Sequence, residues 1–506
     1  MNSNSTRIAR NTFMLYLRQI LIMLVSLFTV RMVLDILGAK DYGIYNVVAS
    51  MVVFFTFLNG SMTSATQRFM NFALGQDDVS RARDVYSASF IIFMLIGVLV
   101  VILSQTVGLW FFYTQLNIPP ERQGASFVVY QISIASLVIA ILRTPYSATI
   151  IAYEKMSFFA FVSIAESLFR LVNVVLLKFI NFDKLIVYVL LICMTEIIVV
   201  LIYKVYSNRT FEIAHFRFCH DKILFRQLLV FSGWSFFGSI AYLGRGQGTN
   251  VLINIFYGVG ANAAMGIASQ VGAAISSCLA SFQSASSPQI IKSYSMKEYE
   301  YFMSLIFWVS KISFCLVLFF VLPLFINTEF VLRIWLNNVP EYTVTFAQLV
   351  LLSPLISAIS GPLSTSIRAT GDIKKYQLVA GCFMLACLPL SFFLLSVGFK
   401  PSWTIITNLT LDSLSLLWFI FYLGKMINLN VISFFYNVMA PVFIIAGVTF
   451  AITSFFGSLF DDWNRLFITC IVSSITIICL MYLIGLNKNE KKIVMHWMQS
   501  KIAFKI

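Results

Sequence analysis

The sequence predicts an all-α protein that crosses a membrane many times. Three observations carry this: 59% of the 506 residues are hydrophobic and only 11% are charged, the mean hydropathy is +0.88, and the apolar residues gather in about fourteen runs near the length of ~20 residues that a helix needs to cross the hydrocarbon. Soluble domains do not carry so little charge. Backbone groups in a bilayer must be satisfied within the spanning segment, and single runs of this length can do that only as helices.

In chain order the runs cover 13–37, 43–72, 85–113, 124–150, 157–180, 185–206, 228–257, 262–287, 302–326, 343–368, 377–398, 402–424, 434–457 and 464–486. The first follows the polar stretch 2–10 and has spanning length itself, so it reads as a retained helix and not as a cleaved signal peptide. Little sequence is left over for a soluble domain. With the N-terminus inside, 23 of the 35 Lys and Arg fall in cytoplasmic segments, among them Arg68, Arg81, Arg143, Arg217 and Lys222, and seven fall on the opposite side. This places both termini in the cytoplasm. It also explains most of the +14 net charge by topology and by anionic lipid headgroups, which leaves no call for nucleic acid.

Compared with itself at an offset of 220 residues, the chain sets "ILGAKDYGIYNVVASM" from Ile36 against "FYGVGANAAMGIASQV" from Phe256, so that Gly38 meets Gly258 at one helix corner. Ser61, Ser64 and Ala65 meet Ser281, Ser284 and Ala285. Six spans separate the matched starts, as in a six-helix unit used twice with the same orientation. The expected organisation is an N-terminal lobe (1–206, spans 1–6), a cytoplasmic linker (207–227), a C-terminal lobe (228–424, spans 7–12), and a remainder (425–506) holding spans 13 and 14 and a cytoplasmic tail. The two lobes are pseudo-symmetric about a central cavity. The linker, "SNRTFEIAHFRFCHDKILFRQ", is basic and is expected to form an interfacial helix, and the tail shares its character.

The segment "LGAKDYGIYNVVASM" at 37–51, "RIWLNNVPEYT" at 333–343 and "RATGDIKKY" at 368–376 together resemble the polysaccharide flippases of the MOP superfamily. These are the Wzx-type exporters, relatives of the lipid II flippases and the MATE drug transporters. The resemblance implies a MATE-like fold and a bacterial inner-membrane protein that moves an undecaprenyl-pyrophosphate-linked oligosaccharide to the periplasmic leaflet. The glycan would be an O-antigen, capsule or exopolysaccharide repeat unit. Membrane lipids and other polysaccharide-assembly membrane proteins are the implied partners. A MATE-type antiporter of organic cations is the alternative within the fold.

Charges inside spans are costly and normally face protein or a hydrated cavity. A pyrophosphate leaving water needs cations, and Arg can pair with it bidentately. Arg18 and Arg31 on span 1 and Arg245 on span 7 fit this need, each with a plainer reading. Arg31 precedes Asp35 by four residues, so a local pair suffices, and Arg18 can snorkel. Arg245 lies in "GRGQG" with no acid within four residues; it lines the cavity with Gln247 and Asn250, or answers a carboxylate elsewhere along a kinked helix. The flanking glycines are expected to open the helix backbone. Lys311 either joins the cationic lining or pairs with an acid. Glu166 precedes Arg170 by four, the favourable order for a helix pair. Glu196 and Asp412 have no local partner and are candidates, with Glu166, for coupling to H+ or Na+, or for pairing with an arginine of another helix.

No catalytic residue set, metal site or bound cofactor is expected. The ligands of "HFRFCH" at 215–220 do not share a helical face. The chain has no P-loop, and its outer loops are too short for those of a glycan polymerase or ligase. Cysteines such as Cys193, Cys278, Cys315, Cys382 and Cys387 sit in spans as small packing residues. Trp110, Trp335, Trp403 and Trp463 are expected at the outer interface.

Overall fold

The structure, a computed structural model, describes residues 56–115, 120–218, 221–336, 339–486 and 491, and part of 11–48. Among these there is no strand. Twelve helices are long and apolar enough to span: α3 Val79–Thr114, α4 Pro120–Ala152, α5 Met156–Phe179, α6 Lys184–Thr210, α7 Lys222–Gly258, α8 Gly260–Ser295, α9 Tyr299–Ile326, α10 Thr343–Thr370, α11 Lys374–Ser396, α12 Ser402–Met426, α13 Val431–Gly457 and α14 Asp462–Gly485. They coincide with twelve of the fourteen expected spans. The other two fall where α1 (Leu17–Ser26) belongs to a partly described stretch and α2 (Thr56–Gly75) follows it.

Several helices outrun the apolar run that announced them. α7 has 37 residues and α8 has 36, so each is about 55 Å long, well beyond the roughly 30 Å of hydrocarbon. The two meet at a corner at Gly258, whose φ of 75° and ψ of −171° lie outside the helical region and suit a residue without Cβ. Gly38 has the same φ of 75°. The correspondence extends to the next corner. Asp77 and Lys297, also 220 residues apart, both have positive φ, 55° and 60°. Around them Asp77 N donates to Leu74 O and Asp78 N to Ala73 O, while Lys297 N donates to Tyr294 O and Glu298 N to Ser293 O.

By internal packing the chain divides into two compact units, Asn11–Phe236 and the part from Phe237 onward, with the division inside α7. In the first, α3 packs on α2 and α4, α4 on α6, and α5 on α6. In the second, α9 packs on α10, α10 on α12, and α11 on α12, while α13 and α14 pack on each other and on α9. The scheme α3–α4–α6–α5 thus reappears as α9–α10–α12–α11.

Among the described residues the expected linker helix does not form. α6 runs on to Thr210 and α7 begins at Lys222, leaving a 3-10 turn at Glu212–Ala214 and non-helical residues up to 218. Phe211, Ile213 and Ala214 are buried, and α3 holds the segment: Arg83 Nε donates to His215 O (3.1 Å) and Arg217 N to Ser87 Oγ (3.0 Å). Arg81 pairs with Asp221 at 2.5 Å. The N–H of Leu224 and this arginine together hold the Asp221 carboxyl below its usual range. Three apolar residues of the segment are thus taken up by its own unit, while Phe216 and Phe218 stay exposed. The tail beyond 491 and His220 lie outside the described residues.

At the opposite end of the first unit, Arg122 gathers three parts of the chain. It donates to both carboxylate oxygens of Asp41, from Nε at 2.9 Å and from Nη2, and to Asp183 from Nη1 at 2.6 Å. Burial opposes the charge on Asp183, but Arg122 and the N–H groups of Ile186 and Leu185 outweigh it and lower its pKa. The second unit closes the corresponding corner without charge. Tyr342, 220 residues on from Arg122, sets its ring edge-on to Tyr257 at 6.3 Å, and Tyr257 Oη donates to Phe399 O at 2.7 Å.

Candidate functional site: a charged pocket in each unit

The first unit contains a cavity of about 730 Å³ lined from α1, α2, α4, α5 and α6, and its charged lining is Arg18, Arg143, Glu166 and Arg170. Two arginines and two glutamates from three helices form a ring. Arg143 Nη1 lies 3.0 Å from Glu166 Oε2 and 3.4 Å from Glu196 Oε2. Arg170 Nη2 lies 2.8 Å from Glu166 Oε1 and 2.9 Å from Glu196 Oε1. Each carboxylate therefore bridges both guanidinium groups. Asn173 braces α5 to α6 beside it, donating to Thr195 Oγ1 (2.8 Å) and Leu191 O (3.1 Å). Arg18 stands apart from the ring. Its guanidinium lies over the Phe159 ring at 5.0 Å, and its buried Nε makes no hydrogen bond. With three arginines against two glutamates, the described residues of the pocket carry one cation in excess.

The second unit contains a cavity of about 600 Å³, lined by Arg245, Gln247, Asn250, Asn408, Asp412 and several serines. Arg245 Nη1 lies 2.6 Å from Asp412 Oδ1, with side chains 14% and 22% exposed. One cation meets one anion here, so this pocket is neutral and rich in amides and hydroxyls. Corresponding positions line both cavities: Ile22, Ser26, Thr29 and Tyr45 in the first, and Tyr242, Gly246, Thr249 and Met265, each 220 residues on, in the second.

The glycines act differently from expectation. α7 is unbroken through "GRGQG", and its break comes later, at Gly258. Gly244 and Gly248 face Leu385 and Leu388 of α11, where a Cβ on Gly248 would come within 2.5 Å of a Leu388 methyl; Gly246 meets open space. Gly244 and Gly248 therefore admit a neighbouring helix, as small residues spaced by four do in membranes, and Gly246 sits on the cavity side.

Of the residues expected at the site, Arg18 and Glu166 line the first pocket, Glu196 pairs into its ring, and Arg245, Gln247, Asn250 and Asp412 meet in the second. Arg31 lies outside the described residues. Lys311 is placed elsewhere: it is fully buried in α9 and its Nζ donates to Gly485 O of α14 at 2.9 Å, away from either cavity lining. Arg143, counted as a cytoplasmic loop residue, is corrected to a cavity residue within α4. It lies inside the expected 124–150 run, and α4 continues past it, through Pro145, to Ala152.

The fold is that of the MOP-superfamily membrane transporters. A MATE solved in complex with MaD3S is 12% identical, with 84% of this chain and 97% of that chain covered and a TM-score of 0.73. A MOP superfamily transporter from Pyrococcus furiosus, described by a binding pocket of reverse polarity that suggests a different function, is 12% identical over 85% and 96% at 0.71. A multidrug resistance MATE family transporter in an outward-facing conformation is 12% identical over 84% and 97%, also at 0.71. No curated protein matches the chain. The chain belongs to the polysaccharide biosynthesis protein family, whose model matches residues 8–294.

Proposed function

We propose that the protein is a flippase that carries an undecaprenyl-pyrophosphate-linked oligosaccharide across a bacterial inner membrane. The lobes 1–206 and 228–424 alternate access, and an H+ or Na+ gradient drives the cycle. Family membership supports the glycan, and the excess arginine of the first pocket is the observation that carries the sign of the substrate. A cation held over an aromatic ring without a hydrogen-bonded partner is available to a phosphate oxygen, whereas a carrier of organic cations would leave an acid in that position. Gln247, Asn250 and the serines of the neutral pocket suit sugar hydroxyls. Arg245, Arg18 and Arg31 serve the headgroup, and Glu166, Glu196 and Asp412 are the coupling acids. The polyprenyl tail stays in hydrocarbon, so the protein moves a substrate without changing it and is not an enzyme.

The MATE-type antiporter reading draws on the fold alone. Deleting the gene separates the two. The flippase reading expects the lipid-linked oligosaccharide to accumulate in the cytoplasmic leaflet, with rescue by the wild-type gene and little rescue by Arg18→Ala. Unchanged glycan lipids together with new sensitivity to organic cations would decide for the antiporter.

A further inference from the structure

The Arg143–Glu166–Arg170–Glu196 ring is unevenly satisfied. Three legs of the ring are hydrogen bonds. The fourth, Arg143 to Glu196 Oε2, is only a 3.4 Å ion pair, and that buried oxygen accepts no hydrogen bond. Glu196 is also the most enclosed member, with 8% of its side chain exposed, whereas 47% of Arg170 is open. The facing groups are Arg18 from α1, Tyr45 from the partly described stretch before α2, Arg143 from α4, Glu166 and Arg170 from α5, and Tyr188 and Tyr203 from α6 itself. The third cation of the pocket, Arg18, lies over the Phe159 ring, and among the described residues Glu196 is paired only with Arg143 and Arg170, so both of its counter-ions are lost if these turn to another anion.

We propose that this ring binds an anion and a proton together: phosphate oxygens of the substrate take over Arg143 and Arg170, and Glu196 takes up a proton from solvent on Oε2. The inference rests on the anionic substrate proposed above. Its physical basis is charge balance. In the empty ring two carboxylates neutralise two guanidinium groups; a phosphate arriving at the same cations adds negative charge beside Glu196 and removes its counter-ions, both of which favour the neutral acid. Linkage is reciprocal, so a proton on Glu196 strengthens anion binding by the same factor; a proton leaving with the headgroup would travel against an inward H+ gradient, so of the two gradients proposed above this ring fits a cycle driven by Na+. A substrate cation would have the opposite relation, being repelled by protonation. Arg170, the open member, is the point of entry, and the hydrogen-bonded Glu166 keeps both arginines aimed while Glu196 lets go.

The test uses the full-length protein in lipid nanodiscs with farnesyl pyrophosphate as probe, and calorimetry in buffers of different ionisation enthalpy. Wild type should take up about one proton per ligand beyond the ligand's own titration, and its affinity should fall with rising pH by up to about tenfold per unit. Glu196→Gln, a fixed mimic of the protonated acid, should bind at least as tightly with no such excess. Zero excess uptake by the wild type overturns the proposal whether or not the variant folds, as does equal uptake by both; either leaves the flippase reading standing. If the wild type binds no prenyl pyrophosphate, the anionic-substrate reading falls, and this proposal falls with it.

Discussion

Arg245 illustrates what a single residue discloses and what it hides. Its cost inside a span is readable from sequence, because a cation far from both helix ends must have a partner or water. The partner is not: Asp412 lies 167 positions away and only tertiary packing chooses it over Glu196. Glu166 and Arg170 were legible as a pair because four residues of helix fix their geometry. Arg143 escaped because it lies toward the inner end of the 124–150 run, where hydropathy does not distinguish a loop cation from one that faces a cavity. The pair at Arg245 sits beside a cavity, between the fully buried and the exposed regimes. Arg245→Ala should therefore destabilise the protein by about 1–3 kcal/mol, through the carboxylate left uncompensated. Asp412→Asn in the same chain should return most of that loss. Abundance and thermal melting of the two single variants and the double variant measure the coupling, and additive losses would show that the two side chains act separately.

Among the elements, the clasp at Arg122 shows how one corner can be closed in two ways. Arg122 joins Asp41 and Asp183 by charge, and Tyr342, at the equivalent place, joins Tyr257 by ring contact. The Gly38 and Gly258 corners were legible as a repeat, since a positive φ selects glycine strongly. The change from ion to ring was not, because both satisfy the same geometry. Arg122→Ala should cost about 1 kcal/mol, the upper end for a partly exposed network with bidentate geometry. Asp183 has a folded pKa below its unfolded value, near 3.9. Its contribution is therefore complete above that value and is lost as pH falls through the lower, folded one. The melting difference between wild type and Arg122→Ala should stay constant from pH 8 to 5 and shrink below about pH 4. A difference that disappears between pH 7 and 5 would mean that another group holds the corner.

For the whole molecule, the order of the spans was legible, and twelve of the fourteen expected are helices of spanning length among the described residues, because hydrocarbon thickness dictates helix length. The expected interfacial helix failed because Phe211, Ile213 and Ala214 found burial within their own unit, which no local amphipathic pattern reports. Helix ends also shifted outward, since polar first and last turns extend α7 and α8 past the apolar run. The distribution of Lys and Arg sets a direct expectation for orientation. In a cysteine-free background, Ser3→Cys, Glu212→Cys and Ser500→Cys should resist an impermeant thiol reagent applied to intact cells, and each should react after permeabilisation. Labelling of any one from outside would invert the topology or change the span count.

The bond from Lys311 to the carbonyl of Gly485 also imposes an order in time. The donor leaves the ribosome 174 residues before its acceptor, a delay of roughly 9 to 35 s at 5–20 residues per second. During that interval α9 is in the membrane while this partner of its ammonium does not yet exist, so the final helix completes a segment made much earlier. α14 is in this sense a late fastener for the interior of the second unit. A chain stopped before Asp462 should be degraded quickly, and Lys311→Met should lengthen the lifetime of the truncated chain more than that of the full one. Pulse-chase measurement of the four chains would show whether biogenesis waits for the last span.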